Sequence, residues 1–150
     1  MSRVVVLDSS PLGLLCAPIK KGGEAAQCAR WLAGLMSKGV RIVVPEIADY
    51  EVRRELIRLR KDSSIKRLDA LAAATEYLAL TTTAMRKAAD LWAAVRSAGK
   101  PTASEKALDG DAILAAQALT LGVPSFVVAT TNVAHLARFV PAEEWKTITT

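Results

Sequence analysis

The chain has 150 residues, 51% hydrophobic and 23% charged, with 8 Gly and 6 Pro, which excludes disorder, collagen-like repetition and low-complexity spacers and suits one domain over 1–150. Aromatics reach only 5%, a mix that favours packed helices around a small buried sheet over an aromatic-rich β-sandwich. Twenty Lys and Arg against fifteen Asp and Glu give +5 at pH 7, a balance that suits a polyanionic partner such as nucleic acid only where the charges gather in patches.

The run from Arg3 to Leu7 is short, continuous and β-branched, and reads as a fully buried strand. Turn chemistry begins at Asp8-Ser9-Ser10-Pro11 and leads into a loop with Gly13, Pro18, Gly22 and Gly23. From Glu24 to Ser37 the apolar residues Ala25, Cys28, Leu32, Leu35 and Met36 recur at helical spacing, with Gly39 as the stop. Arg41 to Val44 is a second buried strand, and Pro45 opens a helix from Glu46 to about Arg60. A helix capped by Asp62 or Ser63 runs to Tyr77, with a brief strand at Leu78 to Leu80. Thr81-Thr82-Thr83 leads into a helix from Ala84 to Ala98 that Gly99 and Pro101 close, followed by a polar loop over 99–110. A short helix starts at Asp109-Gly110-Asp111, Ser125 to Ala129 is a strand, a helical piece follows Thr130-Thr131-Asn132 and passes through His135 to Phe139, and Lys146 to Thr149 is a last strand. This alternation predicts an α/β sandwich with a mainly parallel sheet, buried on both faces because parallel neighbours need crossovers.

The apolar start is too short for a signal peptide and no later stretch is long enough to span a bilayer, so the expectation is a soluble cytoplasmic protein. Cys16 and Cys28 read as buried free thiols, and with His135 as the sole histidine neither zinc spacing nor a catalytic histidine pair is present.

In parallel α/β folds ligands bind beyond the carboxyl ends of the strands, which directs attention to the polar residues there. Asp8 follows the first strand, either as a ligand or as a turn or cap residue over Ser9 and Ser10. At about 100° per residue, Glu51 and Glu55 flank the apolar arc of Ala48, Val52, Leu56 and Leu59, and periodicity does not choose between them; Asp49 and Arg53 fall beyond the other side. Asp109 reads as a helix cap, leaving Asp111 to turn to the crevice. Thr130, Thr131 and Asn132 add hydroxyl and amide oxygens after the later strand. Carboxylates gathered from distant segments repel one another unless a proton or cation intervenes, and a hard divalent ion such as Mg²⁺ or Mn²⁺ suits an all-oxygen donor set.

Val4-Val5-Val6-Leu7-Asp8-Ser9-Ser10, Val44-Pro45-Glu46-Ile47-Ala48-Asp49-Tyr50-Glu51-Val52, Asp111 to Ala118, and Val128 to Leu136 together give the chain a likeness, over nearly its whole length, to a family. It resembles the PIN-domain ribonucleases of the VapC-like type. The resemblance implies a PIN-like three-layer α/β/α sandwich, Mg²⁺- or Mn²⁺-dependent cleavage of single-stranded RNA, a homodimer, and an antitoxin partner where the protein is a toxin. Carried over by position, Asp8, Glu51 and Asp111 look like the three metal-binding catalytic acids. Ser9 and Thr130 look like the hydroxyl residues beside the site, and Asn132 stands where many relatives have a fourth acid, for which Asp109 is a substitute. Arg53, Arg54 and Arg58, with Arg60, Lys61, Lys66 and Arg67 beyond, read either as a phosphate-tracking rim or as a solvated face. Two other functions compete: a catalytically silent PIN-like module that binds RNA or protein, and a phospho-acceptor or nucleotide-binding domain, which lacks a Gly-rich loop here.

Overall fold

Val5 and Val6 point to opposite faces of their strand, yet they are 2% and 0% exposed, so both faces of the sheet are covered by helices. The computed structural model describes residues 3–98 and 105–149. Its five strands are β1 (Val4–Leu7), β2 (Ile42–Pro45), β3 (Glu76–Leu78), β4 (Phe126–Thr130) and β5 (Ala142–Glu144). They form one sheet in the order β3-β2-β1-β4-β5, every pair parallel, with Val6 opposite Val43 on one side and Val128 on the other. The helices are α1 (Ser9–Cys16), α2 (Glu24–Ser37), α3 (Glu46–Arg58), α4 (Asp62–Ala74), α5 (Thr82–Ser97), α6 (Glu105–Leu119) and α7 (Val133–Leu136). Helix α1 packs against α2, α3 and α4, while α6 packs against α5 and α7. The result is the expected three-layer α/β/α sandwich.

The segment after the first strand is a helix and not the expected loop. Asp8 caps it with φ −75° and ψ 167°, and the amide of Leu12 donates to the Asp8 carbonyl at 3.1 Å. Pro11 is tolerated because the first-turn amides have no intrahelical acceptor. Helix α3 stops at Arg58 because Arg60 turns into the left-handed region (φ 56°) and the Lys61 amide reaches back to the Leu56 carbonyl at 2.9 Å. Helix α4 ends at Ala74, so the following strand starts at Glu76 and not at Leu78.

Helix α6 differs most from expectation. It begins at Glu105, so 105–110 are helical and Asp109 sits inside the helix, where it caps nothing. Residues 99–104, with the expected stops Gly99 and Pro101, lie outside the described residues. At the end of the chain, the strand expected at 146–149 is replaced by β5 at Ala142–Glu144 and a 3-10 turn, Trp145–Thr147. Trp145 is buried and stacks obliquely on Trp31 at 5.5 Å, whose indole donates to the Ile148 carbonyl at 3.0 Å. Both cysteines are buried and unbridged, with burial pushing their thiols up to about 11 for Cys16 and about 12 for Cys28. Among the described residues no helix is long and apolar enough to cross a membrane.

Candidate functional site

The strand order reverses between β1 and β4, because successive crossovers leave β1 toward β2 on one side and return to β4 on the other. A crevice opens at the carboxyl ends of such a pair. Asp8, the residue after β1, and Thr130, the last of β4, meet there: the Thr130 hydroxyl donates to Asp8 Oδ2 at 2.7 Å. The other carboxylate oxygen, Oδ1, accepts from the Ser9 amide at 2.7 Å. Asp8 is therefore both the cap of α1 and a candidate ligand, since a carboxylate has lone pairs for each task. Thr130 is fully buried and its oxygen also accepts from the Asn132 amide at 2.8 Å, while the Thr131 amide donates to Ser10 Oγ at 3.1 Å. The two loops are thus latched together across the switch point.

Glu51 is brought to the same edge by α3. A Cβ placed on Gly110 would lie 2.8 Å from Glu51 Oε2, so the carboxylate rests against the backbone of α6 one residue before Asp111. Periodicity left Glu51 and Glu55 equivalent; the structure separates them, because Glu55 is exposed and paired with Arg58 through α3. What fixes α3 against α6 is Gln117. It is 0% exposed, and its Oε1 accepts from the Ile47 amide at 3.1 Å while its Nε2 donates to the Leu78 carbonyl at 2.9 Å.

The three carboxyls sense one another. Burial raises Asp8, opposed by its bonds to Thr130 and Ser9. Burial first, then the charge of Asp8, raises Glu51, with Asp111 adding to the effect. Burial and then Asp8 push Asp111 up to about 6, against the lowering influence of His135 and Arg138. Asp111 Oδ2 is buried and, among the described residues, nothing donates a hydrogen bond to it; the Arg138 guanidinium stands 3.8 Å away. A buried oxygen without a donor, in an all-oxygen set carrying several negative charges, has the chemistry that suits a hard divalent cation. The donors fit by type and are not yet closed around a point, since among the described residues no three His, Cys, Asp or Glu are placed to hold a metal ion.

Other expected site residues lie apart. Asp109 is exposed and lines a groove of about 350 Å³ with Met85, Ala88, Ala89 and Trp92. Asn132 is exposed and contributes to the site through its main chain. Asp49, expected on the solvent side, is buried instead, accepting from the Tyr77 hydroxyl at 2.7 Å and from Arg53 Nε at 2.9 Å. Arg53 is further tied to Asp69, and Arg67 donates to the Cys16 carbonyl at 2.8 Å, which makes both internal braces. Arg54 lies over the Tyr50 ring at 5.0 Å and lines a groove of about 410 Å³ with Ser9, Ser10, Gly13 and Glu51. Gln117, Gly110 and Arg138 were not singled out by sequence reasoning. Gly110 alone carried a signal, because a glycine inside a helix costs stability unless something must approach closely.

The family model of the PIN domain matches residues 5–138. Solved structures similar to the chain include VapBC2 from Rickettsia felis bound to a promoter DNA fragment, at 15% identity and TM-score 0.72, covering 95% of this chain and 98% of that one. DNA-bound VapBC from Salmonella typhimurium is 18% identical with TM-score 0.70, covering 96% and 99% of the two chains. VapBC-1 from nontypeable Haemophilus influenzae is 19% identical with TM-score 0.64, covering 96% and 99%. No curated protein matches the chain in sequence.

Proposed function

The chain belongs to the PIN-domain family, and from that premise we propose that it is a VapC-like endoribonuclease that hydrolyses single-stranded RNA with Mg²⁺ or Mn²⁺ held by Asp8, Glu51 and Asp111. The observation that carries this reading is that Asp8, Glu51 and Asp111 act on one another electrostatically at the carboxyl edge of the sheet, with Asp111 Oδ2 buried and, among the described residues, without a donor. A divalent ion bound there supplies Lewis-acid polarisation of the phosphodiester and an acidified water.

The protein's own residues do the positioning. Thr130 and Ser9 fix Asp8 by one hydrogen bond to each oxygen, which orients its remaining lone pairs. Glu51 and Asp111 add negative charge beside Asp8, and burial together with the charge of Asp8 raises both carboxyls. Arg54, beside Glu51 in an open groove and stacked on Tyr50, offers a guanidinium to an incoming phosphate. The likeness to VapBC structures supports a toxin in the cytoplasm with an antitoxin partner, and the resemblance supports a homodimer.

Cleavage of a fluorescent single-stranded RNA panel in Mn²⁺ or Mg²⁺ tests the reading. Activity is expected to need the ion and to fall by roughly two orders of magnitude or more in D8N, E51Q and D111N, the scale of losing an electrostatic anchor of the transition state. Wild-type protein that binds RNA and never cuts it, in any divalent ion, would instead establish the silent module that the missing fourth acid suggests.

A further inference from the structure

We infer that Gly13 is a specificity-determining residue: by carrying no side chain it keeps the groove between α1 and α3 open to the single-stranded RNA that flanks the scissile phosphodiester, and Arg54 on the α3 wall takes a phosphate of that strand. This rests on the RNA reading above and not on how an ion is held.

The fold itself does not ask for glycine at this position. Gly13 lies inside α1, its φ is outside the left-handed region, and a Cβ built on it meets nothing within 4 Å. Glycine is the poorest helix former after proline, so an alanine would fit and strengthen α1. The space beyond the missing side chain is the groove of about 410 Å³, which Gly13 lines with Ser10, Glu51 and Arg54. A glycine on a ligand's path lets another chain approach the helix closely. Gly34 gives the contrast: it too sits inside a helix, α2, with nothing within 4 Å of its Cβ, but it is exposed and takes no part in this groove.

The groove is continuous with the carboxyl edge, because Glu51 lines it and Ser10 Oγ accepts from the Thr131 amide at 3.1 Å. A polymer cut at that edge has to continue past it, and its flanking nucleotides need a path. Charge along the groove favours a phosphate at one point. Glu55 is paired with Arg58, and Glu51 belongs to the acid set. Arg54 acts on both carboxylates through its charge and rests over the Tyr50 ring at 5.0 Å, with no hydrogen bond or ion pair among the described residues. Its guanidinium is free to pair with a phosphate, and the Ser10 hydroxyl, accepting through its oxygen, keeps its proton to donate.

Fluorescence anisotropy of a labelled single-stranded RNA, titrated with protein in EDTA, reads binding without cleavage. G13A is expected to melt at or above the wild-type temperature while binding roughly threefold more weakly, and G13L, which fills the groove, roughly tenfold more weakly. G34A, the matched helix change, should bind as the wild type does. R54Q should make the slope of log affinity against log salt shallower by about 0.7, the loss of one phosphate contact to a single strand. A structural role for Gly13 would move stability and affinity down together, so the opposite signs in G13A mark the proposed one. RNA affinity in G13L equal to that of the wild type would assign the groove to another occupant, such as a protein segment, and overturns the proposal, as does a fall that G34A reproduces. Should G13L not fold, unchanged affinity in G13A overturns it equally. Wild-type protein that cleaves or binds RNA regardless of Gly13 leaves the proposed function standing, whereas one that binds no RNA removes that reading and this one with it.

Discussion

Gly110 occupies an interior turn of α6, where glycine is about 1 kcal/mol less favourable than alanine. The added methyl of G110A would meet Glu51 Oε2 at 2.8 Å, closer than atoms tolerate, but what it meets is the tip of a flexible side chain and not backbone. Glu51 swings away at little cost and the helix gains. G110A is therefore expected to keep or raise the melting temperature while lowering RNA cleavage and Mn²⁺ affinity by roughly tenfold, the size of a displaced ligand's effect on a metal site. Urea unfolding and Mn²⁺ titration of the same preparation check the two halves; a variant that loses both stability and affinity would mean the contact is with the fold and not with the carboxylate alone.

At the scale of elements, Gln117 joins three of them. It sits in α6, accepts from the first turn of α3 and donates to the end of β3. Replacing it with leucine keeps the volume but leaves the buried Ile47 amide and the part-buried Leu78 carbonyl without their side-chain partner, which costs about 1–3 kcal/mol for the buried group and less for the other. Q117L is expected to lose about 2–4 kcal/mol in urea unfolding and, because α3 carries Glu51, to lose Mn²⁺ affinity as well. Nothing in the sequence around Gln117 announces this, since its partners are 70 and 39 residues away. The strands, by contrast, were legible because uninterrupted runs such as Val4–Leu7 leave no polar face to expose. Helix α1 was hidden by Ser9, Ser10 and Pro11, whose turn propensity also serves a first helical turn. The start of α6 was hidden because Asp109-Gly110-Asp111 looks like a helix opening and is an interior stretch. Asp8, Glu51 and Asp111 were named through likeness to a family, whereas Arg138 depends on where α7 leaves the chain, which periodicity does not set.

For the whole molecule, Asp8 after β1, Glu51 on α3 and Asp111 on α6 act on one another electrostatically, so folding brings three acids within reach of each other's charge. All three carboxyls are raised by burial, and Asp111 reaches about 6 from 3.8. Below about pH 4 Asp111 is protonated whether the chain is folded or not, and its contribution to stability is fully present. Between there and about pH 6 the unfolded chain releases the proton that the folded chain keeps, and the contribution is lost as pH rises through the folded value. Metal-free protein is therefore expected to become less stable from pH 4 to pH 7. D111N removes the acid, at the expense of the ion pair with Arg138 at 3.8 Å. The value of about 6 already includes the opposing pull of Arg138; discounted for solvent screening of a partly exposed group, D111N in EDTA should be roughly 1–2 kcal/mol more stable than wild type at pH 7 and nearly equal to it near pH 4. Saturating Mn²⁺ reverses the order: at a hundredfold excess over Kd it stabilises the wild type by about 2.7 kcal/mol, and D111N gains little because it binds the ion weakly. Urea unfolding at both pH values, with EDTA or Mn²⁺, reads all four quantities, and a wild-type curve flat with pH in EDTA would mean that the three acids do not meet as charges.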